Sequence, residues 1–156
     1  MALSIISWLF TRMNDLKIEI DAELVEKALK EAPGLAKKMI ALSLSESALE
    51  VQNKAKSPGY APYDKGTLRR SITHEVKPLE AKVGTNLVYA PIHEFGGTIR
   101  AKKAKYLRFK VNGQWVSKKQ VTIKPYNGRG YLRPALKDSS KYIIDTFNKN
   151  LKKIFP

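Results

Sequence analysis

The stretch Tyr106–Val116 reads YLRFKVNGQWV. Leu107, Phe109 and Val111 alternate with Arg108 and Lys110, the two-residue period of a strand with one face turned from water. Asn112-Gly113 follows at once, a pair suited to the positive φ angles of a type I′ turn, and Gln114–Val116 returns. So short a link joins only antiparallel neighbours, because parallel strands need a long crossover. The β part of the fold is therefore antiparallel, and Val121–Ile123 (VTI) adds a further short strand.

Upstream, SITHEV (71–76), AKVGT (81–85) and LVYAPIHEF (87–95) read as more short strands. The segment Ser57–Gly66, SPGYAPYDKG, carries two prolines and two glycines and reads as a loop. Before it, Ile40, Leu44, Ala48, Val51 and Ala55 recur at intervals of four, four, three and four, one stripe of an amphipathic helix ending near Lys56. Its alanines permit close approach of another element. Pro33-Gly34 should separate this helix from an earlier stretch in which Leu24, Ala28 and Leu29 keep helical spacing. Asp21 offers an N-cap oxygen there, and Glu23 suits the positive helix end. Leu16–Ile20 (LKIEI) alternates as a strand would. The opening MALSIISWLF is apolar but far short of the about twenty residues a membrane span needs. It also lacks the basic start of a secretory signal. Residues 1–15 thus read as an N-terminal arm before a single domain over residues 16–156, with no membrane association expected.

At the other end, Leu132, Leu136, Ile143, Phe147, Leu151 and Ile154 form one apolar face, so one continuous helix is expected. Pro134 fits its first turn, and Lys149, Lys152 and Lys153 suit its negative end. A long helix, then antiparallel strands, then a final helix make the class α+β.

With 156 residues, 43% apolar and 28% charged, the chain falls in the ordinary globular range. It has no cysteine, which excludes disulfides and thiolate metal sites and fits a protein made in a reducing cytoplasm. The net charge of +15 is one-sided: residues 1–99 hold 13 Lys/Arg against 12 Asp/Glu, and residues 100–156 hold 16 against 2. Such a field attracts nucleic acid, an acidic protein surface or an anionic membrane. Arg100, Lys102, Lys103 and Lys105 lead into Tyr106 and Phe109, a basic and aromatic mixture typical of nucleic-acid surfaces. The segments Ser57–Gly66 and Gly96–Lys105 have few apolar anchors, so their ordering should need neighbours.

His93-Glu94, within YAPIHEFGG (89–97), raises the question of catalysis. A zinc-protease helix needs a second His three residues after the Glu, and Gly97 stands there. The other histidine, His74, belongs to a different segment, so no metal site is expected. Adjacent residues of a strand face opposite ways, which argues against an acid–base pair and leaves Glu94 to meet one of the many basic side chains. Asn127–Gly130 (NGRG) resembles an anion nest but needs no role beyond a loop. No catalytic or cofactor-binding set is visible, and no enzyme activity is expected.

Three segments read together resemble the small tail-component proteins of tailed bacteriophages, the head–tail joining or tail-completion family, and the related virion morphogenesis proteins. They are APYDKGTLRRSI (61–72), VYAPIHEFGG (88–97) and GYLRPAL (130–136). The resemblance spans roughly residues 16–150. Lys65-Gly66 stands where that family has Thr-Gly, and Gly130-Tyr131 where it has Pro-Phe. It implies a curved, mainly antiparallel sheet packed by a long N-terminal helix and a C-terminal helix. It also implies assembly of copies into a ring, often six-fold, at the neck or tail end, against connector or tail-tube proteins and near packaged DNA. On that basis Gly66 allows a turn that sends Leu68 inward and Arg69 and Arg70 outward. Tyr89, Ala90, Ile92 and Phe95 should end a packed strand, Gly96 and Gly97 should let the chain leave it, and His93 and Glu94 should lie near an interface. Leu132, Arg133 and Pro134 belong to the third motif. The alternative is a free basic protein that binds nucleic acid without sequence preference.

Overall fold

Ala32, with φ −142° and ψ 65°, separates helix α1 (Ala22–Glu31) from the long helix α2 (Pro33–Lys56), so the break falls where proline predicts it. The structure, a computed structural model, describes residues 22–102 and 104–155. The arm, the Leu16–Ile20 strand, the Asp21 cap and Lys103 lie outside the described residues. The inner face of α2 buries Ala36, Ile40, Ala48, Val51 and Ala55, with Leu44 partly covered. Ser43 and Ser47 are buried among them. Ser43 donates to the Met39 carbonyl at 2.8 Å and accepts from Asn150 Nδ2 at 3.1 Å, so its hydroxyl is satisfied inside the helix contact.

Antiparallel strands form three two-stranded ladders. Strand β1 (Thr73–Lys77) pairs with β2 (Glu80–Gly84) and this ladder packs on α2. Strand β3 (Gly97–Arg100) pairs with β6 (Gln120–Ile123), and β4 (Leu107–Val111) with β5 (Gln114–Lys118). Asn112 and Gly113 have φ of 49° and 82°, the two positive values of the expected hairpin turn. The α+β class, the long helix and the antiparallel sense are as the sequence predicts.

Four features differ from the sequence reading. Thr67–Ser71 is a short helix, α3, where only a turn at Gly66 was expected, and Ala90–Phe95 is another, α4, where a strand was expected. Pro91 explains the second: it lacks the N–H a ladder would use, and its fixed φ suits the first helical turn it occupies. Gly96, at φ 67°, ends that helix, and β3 then forms within the Gly96–Lys105 segment, where no strand was expected. The final helix is also two, α5 (Leu132–Asp138) and α6 (Ser140–Lys152). Ser140 Oγ donates to the Lys137 carbonyl at 2.7 Å, the kind of side-chain bond that competes with the helical ladder.

The break has a packing consequence. Leu132 and Ala135 of α5 join a core with Ala55, Ala61, Leu68, Ile72, Ala90 and Tyr131. Ile143, Phe147 and Leu151 of α6 join a second core with Ala28, Ala36, Ile40 and Val51. Val83 of β2 packs against both. The Ser57–Gly66 loop is tied to the first core by the fully buried Ala61, and Tyr60 donates to Asp138 Oδ2 at 2.7 Å.

Candidate functional site

Each of the three motif segments supplies residues to that first core. Ala61, Leu68 and Ile72 come from the first, Ala90 from the second, and Tyr131, Leu132 and Ala135 from the third. Segments far apart in sequence are therefore one unit in space, seated on Ala55 near the end of α2.

A carboxylate joins the second motif to the third. Glu94 is 2% exposed, and its Oε2 accepts from the backbone N–H of Tyr131 at 2.7 Å and Leu132 at 2.8 Å, while Oε1 accepts from Arg133 N–H at 3.0 Å. These amides open α5 and have no carbonyl partner within the helix, so an anion there satisfies both their hydrogen bonds and the positive end of the peptide dipoles. The backbone must come close for this. A Cβ on Gly130, which has φ +81°, would lie 2.5 Å from the Glu94 carbonyl oxygen and 2.8 Å from its Cδ. A Cβ on Gly96 would lie 2.6 Å from the Ile123 carbonyl, where β6 passes the end of α4.

The roles expected of this stretch change accordingly. Glu94 is a buried cap, and its hydrogen bonds come from main-chain amides where a basic side chain was expected. Tyr89, expected to be packed, is 45% exposed, and Ile92 and Phe95 are half-buried. His93 is half-buried, edge-on to the Tyr89 ring at 5.8 Å, and burial lowers its pKa below the usual histidine value. The histidines stand apart: His74 on β1 shares a 2.8 Å hydrogen bond with Gln52 Oε1. Among the described residues no group of three or more His, Cys, Asp or Glu is placed to hold a metal ion.

Gly66 has φ 73° and caps α3, Leu68 points into the core, and Arg70 is exposed, as the motif implies. Arg69 is only half outward: its Nε donates to the Ala61 carbonyl at 2.9 Å and its guanidinium lies 5.1 Å from the Tyr63 ring centre. Pro134 is buried in the first turn of α5, and Arg133 lies 5.6 Å from the Phe95 ring centre. Tyr131 is fully buried, and burial, then Glu94, then Tyr89 push its ionisation well above the usual tyrosine range. An open cleft of about 300 Å³ lies beside this junction, lined by Glu94, Phe95, Pro125, Gly128, Arg129 and Arg133.

Arg100, Lys102 and Lys105 are exposed. Two surfaces went unread in the sequence. Leu35, Leu42 and Leu49 lie on the face of α2 opposite its core stripe and are 44, 40 and 46% exposed. Their spacing of seven was the available signal. Trp115 lies between Arg108 and Lys110 on the β4–β5 hairpin, a placement that follows from the register pairing Lys110 with Trp115.

No curated protein and no solved structure is significantly similar to the chain. A family model does match, over residues 41–152, which takes in all three motifs and the first core but starts later than the span of the sequence resemblance. The chain belongs to the phage virion morphogenesis family and is, on that ground, a bacteriophage virion protein.

Proposed function

We propose that the protein acts by contact and not by catalysis, as a ring-forming adaptor in head–tail joining or tail completion, at the neck or tail of the particle. Its partners are further copies of itself and the connector or tail-tube proteins next to it. The observation that carries the assembly reading is the outer face of α2. Three leucines at a spacing of seven repeat as the seam between packed helices does, on the side of α2 turned away from its own core. A second apolar patch, Val88 with Tyr89, is 82 and 45% exposed at the entry to α4. Two unlike patches on one chain suit a head-to-tail contact, the kind that closes into a ring when the rotation allows. Mass spectrometry and electron cryo-microscopy of purified particles test this. The expected result is the protein in many copies as a ring at the neck or tail end; its absence from finished particles overturns the proposal.

A further inference from the structure

From Phe95 to Lys137 the sequence holds twelve Lys/Arg and not one Asp or Glu. The β4–β5 hairpin stands in the middle of that run, and its two strands pack mainly on each other. Register places Lys110 opposite Trp115 and Arg108 opposite Ser117, so Arg108, Lys110 and Trp115 share one face. The Arg108 guanidinium lies 5.4 Å and the Lys110 ammonium 5.1 Å from the Trp115 ring centre. Trp115 is nevertheless 63% exposed, and Lys105 sits in the same way 5.7 Å from the Tyr106 ring.

We propose that this face of the β4–β5 hairpin binds duplex DNA through its phosphates, without reading sequence. A two-stranded ribbon has the width that the major groove admits. The indole N–H, the guanidinium fork and the ammonium are all phosphate donors, and the ring holds the two cations in place before the ligand arrives. Eight of the twelve cations are lysines. Lysine is depleted in protein–protein interfaces, whereas phosphate contacts use lysine and arginine alike, so DNA is favoured over an acidic protein surface. The inference concerns the single chain and stands whether or not copies close into a ring.

Fluorescence anisotropy with a short labelled duplex of mixed sequence, across a salt series, provides the test on the full-length protein. With about six phosphates met, log K should fall against log salt with a slope of about −5. Changing Arg108 and Lys110 together to Ala, or to Gln as a milder pair, should flatten the slope by about two, with circular dichroism confirming an unchanged fold. The charge-matched control, Lys149→Ala with Lys152→Ala on α6, should leave the slope as it was. Negligible binding by the wild type overturns the proposal, and binding to acidic protein in its place would make that the partner. Equal losses in the hairpin variant and the control also overturn it, because net charge alone would then account for the affinity.

Discussion

Glu94 is the single acceptor group for three successive main-chain amides, two of them fully inside the protein. Glu94→Ala would leave the buried Tyr131 and Leu132 amides without this acceptor. The expected cost is about 3 kcal/mol or more, read as a fall in Tm of about 6–12 °C. Glu94→Gln keeps one carbonyl oxygen and should cost clearly less. Gly130→Ala should be comparably damaging, since its Cβ would meet Glu94 main-chain and side-chain atoms below 3 Å and its φ is +81°. Unchanged melting in these variants would remove the cap from the account. His93 gives a pH test. Burial lowers its pKa in the folded chain, so as pH falls below 6.5 the unfolded chain takes up a proton that the folded chain resists. Its contribution is thus present above that value and is lost as pH falls through the lowered one. Urea midpoints followed from about pH 7.5 to about pH 5 should decline less steeply in His93→Gln than in the wild type. Equal slopes would contradict this.

Among the elements, the β4–β5 hairpin was legible because its signals are local: alternation on one strand and two turn residues that accept positive φ. Helix α4 was not, because a six-residue segment holding Ile and Phe, just after Val88 and Tyr89, looks like a strand until Pro91 is given its place at the helix start. The split between α5 and α6 escaped notice for a related reason. Their apolar positions do keep one period, but they serve two cores. Helix α2 carries the next prediction. Leu42→Glu changes the centre of the outward stripe without touching the buried face, so monomer melting should shift by no more than about 0.5 kcal/mol. Incorporation into particles should fall sharply. Normal incorporation of the variant would place the assembly contact elsewhere.

At the scale of the molecule, the sequence resolved the α+β order, and the three motifs led to a phage virion family, the morphogenesis proteins named beside the tail-completion proteins. Composition could not reveal that those motifs meet on one core, nor that Glu94 reaches across to residues 131–133, because both depend on contacts between distant segments. The sites were therefore read less well than the fold. Of the motif residues, Leu68, Ala90, Glu94, Leu132 and Pro134 are buried within the chain. Among the described residues, the α2 leucines, Val88 with Tyr89, and the basic hairpin face are exposed.

The most direct measurement is electron microscopy, with infectivity counts, of particles made by the encoding phage or prophage after clean deletion of this gene. The account predicts DNA-filled heads lying apart from tails, or tails of defective length, with infectivity restored by the wild-type chain supplied in trans. Joined, infectious particles of normal form from the deletion strain would contradict it.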